Sequence, residues 1–256
     1  MGTAIVIDVR AAQDPATHFS AEVHAAVEAA VDSAFAHFRA VDARFSTYKP
    51  DSEVSRLNRG ELREQSISAE LRDVLAMCES ARQISDGYFD IRGHRGDGTI
   101  DPSGLVKGWS VEGAARILDA AGIDNYTINA AGDVFIKGRA APAEPWRIGI
   151  RNPWDAATTV AVISAPELAI ATSGTYERGD HIIVPATGRP PQGIASMTIV
   201  GPSLTWADTW ATAAYAMGVR GVEWIASEID GYEACAISTD RRLVMTPGFE
   251  RFMAAR

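Results

Sequence analysis

The sequence predicts an α+β fold in which mainly antiparallel or mixed β-sheets are covered by helices. Apolar residues recur at helical spacing in the first half of the chain, and short β-rich runs joined by tight turns fill the stretch from 126 to 200. Strands and helices do not alternate as a doubly wound parallel sheet requires.

A first strand is expected over 4–9. It leads into a long helix over 21–43, where Val23, Val27, Val31, Phe35 and Phe38 form a core-facing stripe. A second helix is expected over 69–84. The third follows Ser103, read as its N-cap, with Leu105, Val106, Trp109, Ala114, Ile117 and Leu118 at helical spacing. Two short strands, 126–129 and 134–137, then flank a Gly-Asp turn. Further strands are expected over 146–150, 158–164, 168–172, 181–184 and 196–200, with 139–145 as a surface loop. The stretch Trp206 to Gly218 reads as a helix ending at a glycine; another helix near 222–228 and two closing strands complete the chain. With no long linker or repeat, one domain over 1–256 is expected, and two lobes with the site between them are the alternative.

Composition narrows the function classes. The 256-residue chain can bury a substantial core, and its 24 basic against 33 acidic residues give a net charge of −9 without any basic run, so nucleic acid is not an expected partner. Its two cysteines, Cys78 and Cys235, share no metal-like spacing and read as buried thiols, although a disulfide is not excluded by spacing alone. No stretch approaches the roughly 20 apolar residues of a membrane span, so no membrane insertion is expected.

Two segments carry chemistry. In Asp101-Pro-Ser-Gly-Leu-Val-Lys-Gly-Trp-Ser-Val-Glu112, an acidic residue, small residues and Lys107 meet where a helix begins, which suits an anion such as phosphate; an ordinary loop entering an amphipathic helix is the alternative. In Trp206-Ala-Asp-Thr-Trp-Ala-Thr212, Asp208 and Thr212 lie one helical turn apart as a pair of hard oxygen ligands suited to magnesium or calcium. Taken alone, the same pair is more often a capping Asp followed by a threonine bonded back to its own helix.

These segments join others in a fixed order: Met1-Gly-Thr3, Phe45-Ser-Thr-Tyr48, Asp51-Ser-Glu53 with Asn58, Asp86-Gly-Tyr-Phe-Asp90, Asn129-Ala-Ala-Gly-Asp133, Ala171-Thr-Ser-Gly-Thr-Tyr176 and His181-Ile-Ile-Val-Pro-Ala-Thr-Gly188. With them the chain resembles, nearly end to end, the ApbE family of FAD:protein FMN transferases. The resemblance implies an enzyme that takes FAD as substrate and uses Mg2+. It would pass FMN to a Thr or Ser hydroxyl of an acceptor flavoprotein through a phosphoester bond and release AMP.

It also implies roles for particular residues. Met1 and Tyr48 would lie against the flavin, Tyr48 by stacking. Tyr88, Phe89 and Asp90 would line the cofactor pocket, Asp101 would bind the adenosine end or ribose, and Lys107 would hold the dinucleotide. Ser173, Gly174, Ile183 and Ala211 complete the cofactor-binding set. Gly104, through its carbonyl, would ligate the metal together with Asp208 and Thr212, so that Asp208 is catalytic as well. His181, the one histidine within a motif, is the expected general base; His18, His24, His37 and His94 read as surface residues. Two departures stand out. Ile183-Val184-Pro185 replaces the family's usual Ile-Asp-Pro, and Ala131-Gly132 replaces its double glycine. The rival readings are an FAD pyrophosphatase yielding FMN and AMP, and an FAD-binding carrier without turnover, which the Val184 departure favours and the intact Asp208, Thr212 and Lys107 oppose. Relatives that are exported lipoproteins carry a signal segment and an anchoring cysteine before Met-Gly-Thr. The motif's place at the start here leads to the expectation of a cytoplasmic protein, with an exported form whose signal segment has been removed as the alternative.

Overall fold

A computed structural model describes residues 4–10, 20–92, 97–174 and 182–254. Its centre is a seven-stranded sheet that helices cover on one face and a small three-stranded sheet covers on the other. The large sheet runs β1 (Ile5–Val9), β2 (Tyr126–Ala130), β3 (Asp133–Lys137), β7 (Glu167–Gly174), β8 (Ile194–Gly201), β9 (Glu233–Ser238) and β10 (Leu243–Met245) from edge to edge. Every neighbouring pair in it is antiparallel. The small sheet consists of β4 (Arg139–Ala141), β5 (Glu144–Asn152) and β6 (Asp155–Ala165).

The period-two alternation of the strands divides their side chains between two cores. Phe135, Ala169, Ala171, Met197 and Ile199 face the helices, whereas Val134, Ile136, Leu168, Ile170, Val200 and Ile237 face Trp146, Ile150, Ile163 and Phe249 on the other side. Burying each large side chain contributes about 1.5–3 kcal/mol, so both cores matter to the sheet's stability.

The helices are α1 (Ala21–Phe45), α2 (Glu53–Asn58), α3 (Ala69–Ile84), α4 (Ser103–Ala120), α5 (Leu204–Ala216) and α6 (Gly221–Glu228). Ser20, Ser52, Ser68 and Ser203 cap α1, α2, α3 and α5 by accepting a backbone N–H of the first turn. Nearly every residue of α5 is buried, which fits a central helix that is apolar all round. Small residues let it approach its neighbours. A Cβ on Gly108 of α4 would stand 2.2 Å from the Leu204 carbonyl oxygen, so the crossing of α4 and α5 requires glycine there.

Several sequence expectations change. α4 starts at Ser103, but its N-cap is Pro102, and the Asp101 carboxylate accepts the Ser103 N–H at 3.1 Å. The β2–β3 turn is Ala131-Gly132, with Asp133 the first residue of β3. Both turn residues have positive φ, +49° and +95°, as the primed hairpin turns demand. Residues 139–141 form β4 and not a loop, since they pair with β5. No strand spans the described part of 181–184; Val184 makes only an isolated bridge to Arg189 around a turn ending at Gly188, which has φ +63°. His37 is half-buried rather than fully exposed. It is wedged between α1 and α4, with Nε2 3.1 Å from the Ser110 carbonyl oxygen, and burial lowers its pKa. Both cysteines are buried and free, and burial pushes each thiol up to about 12.

Candidate active site

Where α4 crosses α5 beside the β2–β3 turn, charged groups meet inside the protein. Asp208 of α5 is 3% exposed and Asp133 is 1% exposed. The Lys107 ammonium lies between them, in contact with Asp133 Oδ2 and 3.4 Å from Asp208 Oδ1. Asp208 Oδ2 accepts the Gly108 N–H at 3.2 Å, a bond that only the close approach at Gly108 allows. Burial is the largest influence on Asp208 and raises its pKa; Lys107 pulls in the opposite direction.

The metal-ligand candidates converge here. In a regular helix the Gly108 N–H would serve the Gly104 carbonyl alone, so a carboxylate drawing on the same proton leaves that carbonyl freer to bind a cation. Thr212 Oγ1 lies 3.6 Å from where a Cβ on Gly104 would stand, and Phe89 Cε2 lies 3.2 Å from the same point. Thr212 does bond back to its helix, donating to the Asp208 carbonyl at 3.1 Å, yet its hydroxyl oxygen keeps lone pairs for a ligand. Asp208 is not a helix cap, a role taken by Ser203. Among the described residues no three His, Cys, Asp or Glu side chains group as metal ligands. A metal would therefore depend on this mixed set of carboxylate, hydroxyl and carbonyl oxygens, all hard donors of the kind magnesium takes.

The other candidates are placed around this cluster or apart from it. Ala211 is fully buried, one turn beyond Asp208 on α5. Ser173 and Gly174 are buried at the end of β7, where the Thr172 N–H reaches Asp133 Oδ1 at 3.0 Å. Phe89 is buried against Gly104, and Tyr88 is half-buried. Asp90 and Asp101 each give one carboxylate oxygen to a local turn, to the N–H of Arg92 and of Ser103. Tyr48 is 86% exposed, its ring open to stacking, at a turn built by Ser46 and Ser52. Ile183 is half-buried before the Val184 bridge. Met1 and His181 lie outside the described residues.

Some motif residues turn out to be scaffolding. Asn58 clamps the loop before α4, exchanging two hydrogen bonds with the Ile100 backbone at 2.8 and 2.9 Å. Glu53 accepts the Ser68 N–H and hydroxyl, each at 2.6 Å, and Glu112 accepts the Thr205 hydroxyl at 2.6 Å, tying α4 to the start of α5. Asp133 is the site residue to which sequence reasoning assigned no role. Its motif marked it, but the Lys107 contact spans the fold and leaves no local signal.

The family model described as ApbE family matches residues 1–95 and 91–236. The chain belongs to the ApbE family. A curated FAD:protein FMN transferase of Vibrio cholerae is 37% identical over 129 residues, 46% of this chain and 39% of the relative. One of Salmonella typhimurium is 27% identical over 169 residues, 61% of this chain and 48% of the relative. The matched segments thus span less than half the length of these two curated relatives. The solved flavin transferase ApbE from Vibrio cholerae superposes with a TM-score of 0.81 at 24% identity, covering 98% of this chain and 96% of that one. The ApbE protein of Thermotoga maritima gives 0.76 at 22% identity over 89% and 92%. These likenesses establish the ApbE fold and with it the α+β class. Among the described residues no helix is long and apolar enough to cross a membrane.

Proposed function

We propose that the chain is an FAD:protein FMN transferase that moves FMN to a Thr or Ser hydroxyl of an acceptor protein. The observation that carries this reading is the approach of buried Asp208 to half-buried Thr212 and Gly104 beside Lys107, at the seam of α4 and α5. It is supported by the names of curated relatives such as those of Vibrio cholerae, Salmonella typhimurium and Haemophilus influenzae, each an FAD:protein FMN transferase.

In this reading Asp208 Oδ1, Thr212 Oγ1 and the Gly104 carbonyl would hold Mg2+. The ion, when bound, supplies positive charge to the phosphate oxygens of the dinucleotide. Lys107 adds a second positive charge for the same oxygens, while Ser173, Gly174 and Asp101 position the ribose and phosphates. Tyr48 and Met1 lie along the flavin ring, with Tyr88, Phe89, Asp90, Ile183 and Ala211 forming the wall. The acceptor oxygen bonds to the FMN-side phosphorus as the diphosphate P–O bond breaks. The hydroxyl proton passes to His181, and AMP leaves with the electron pair of the broken bond.

Incubating the protein with FAD, MgCl2 and a threonine-bearing acceptor peptide tests this reading. Flavin covalently attached to the peptide, lost with a chelator, is the expected result. Free FMN and AMP without adduct would instead make the protein a pyrophosphatase, and unchanged FAD would make it a carrier.

A further inference from the structure

Lys107 stands between two carboxylates that are anchored to different parts of the fold. Asp133 is fixed to the sheet, since its Oδ1 accepts the Thr172 N–H at 3.0 Å; its Oδ2 has no hydrogen bond of good geometry and faces the lysine ammonium. Asp208 is fixed to the helices by the Gly108 N–H on Oδ2, which leaves Oδ1, 3.4 Å from Lys107 Nζ, as the oxygen a cation would take. The lysine therefore competes for the same oxygen as any metal ion.

We propose that Asp133 is a positioning residue that holds the Lys107 ammonium on the sheet side of the site and so keeps Asp208 Oδ1 open to a divalent cation. The inference rests on the metal reading above. A partly buried ammonium, such as that of Lys107 with its side chain 22% exposed, favours a counter-ion that offsets its lost hydration. With Asp133 in place, Lys107 can yield Asp208 to the metal and remain paired. If Asp133 loses its charge, Asp208 is the remaining carboxylate of the two that flank Lys107, and metal binding must then compete with that pair. Asp133→Asn is a suitable probe: the amide oxygen can still accept the Thr172 N–H, while the charge that restrains Lys107 is gone.

The test is a double-mutant cycle read by Mn2+ affinity, measured from the paramagnetic effect of the bound ion on water relaxation, with thermal melting run alongside to establish that each variant folds. Asp133→Asn is expected to weaken Mn2+ binding at least tenfold in the wild-type background. Lys107→Met alone is expected to leave affinity unchanged or raise it. In the Lys107→Met background, Asp133→Asn is expected to change affinity less than threefold. An equal loss in both backgrounds would show that Asp133 acts by its own charge and would overturn the inference, as would no loss in either. The metal reading fails separately if wild type binds no Mn2+ or if Asp208→Asn binds it as tightly as wild type.

Discussion

Gly108→Ala is the perturbation whose consequence follows most directly from the packing. The added Cβ would lie 2.2 Å from the Leu204 carbonyl oxygen, 2.7 Å from the Leu204 carbonyl carbon and 2.9 Å from Thr205 Cα. Relaxed carbon contacts lie at about 3.5–4.0 Å, so α4 and the start of α5 must part by roughly 1 Å. All three obstacles are backbone atoms, so no rotamer change relieves the clash. Overpacking of this kind costs about 1–3 kcal/mol, here at the upper end, and alanine's better helix propensity returns about 1 kcal/mol. The net loss of about 2 kcal/mol corresponds to a fall of roughly 4–8 °C in melting temperature for a chain of this size. Separating the helices also stretches the Gly108 to Asp208 hydrogen bond and draws Asp208 away from Gly104, and a displacement near 1 Å costs about 10²-fold in turnover. Gly104→Ala is the contrasting variant. Its Cβ would meet only side-chain atoms, Phe89 Cε2 at 3.2 Å and Thr212 Oγ1 at 3.6 Å, so the melting temperature should hold while flavin transfer falls. Differential scanning fluorimetry and the acceptor-peptide assay read both effects. A Gly108→Ala protein that melts within a degree of wild type and transfers flavin at the full rate would refute the close crossing and the argument built on it.

Three more predictions address the site and its frame. Asp208→Asn should abolish metal-dependent turnover while leaving the metal-free protein as stable as wild type or more so. The sign follows from the raised pKa: a folded-state value above the unfolded one favours the neutral carboxyl, so stability falls as pH rises from the ordinary carboxylate range through the raised value. Melting curves from pH 4 to 8 should therefore show a flatter profile for the variant, and a lower melting temperature across that range would contradict this account. Ala131→Gly should raise stability by up to about 1 kcal/mol in urea denaturation, because alanine at φ +49° is strained where glycine is not; a loss would contradict the turn assignment. Tyr48→Ala should weaken FAD binding by about tenfold, the order of one aromatic stacking contact, with no change in melting temperature, since the ring is exposed. A binding isotherm that matches wild type would remove Tyr48 from the flavin site.

What the sequence revealed and what it hid follow from the range of the interactions involved. Helix α3 was legible residue for residue because its apolar spacing is regular. The long helix α1 was legible for the same reason, to within two residues at its end. Helix α2 has six residues, too few for a period to show, and β4 is written in alanines next to a proline, so only its pairing with β5 makes it a strand. His37 reads as exposed on α1 until Gly113 of α4 leaves room for its ring. At the site, the shared helix face of Asp208 and Thr212 was legible because one helical turn joins them, and the place of Lys107 because it stands where a helix begins; Gly104 was singled out only through the family resemblance. Asp133 was not, since its function-bearing contact is with a lysine on another layer of the fold.

Anomalous diffraction from crystals soaked in Mn2+ tests the central claim most directly. The account predicts one strong peak bounded by Asp208 Oδ1, Thr212 Oγ1 and the Gly104 carbonyl oxygen, absent from the Asp208→Asn variant. A soaked crystal whose only manganese peaks lie elsewhere, or one in which the variant keeps the peak, would contradict it.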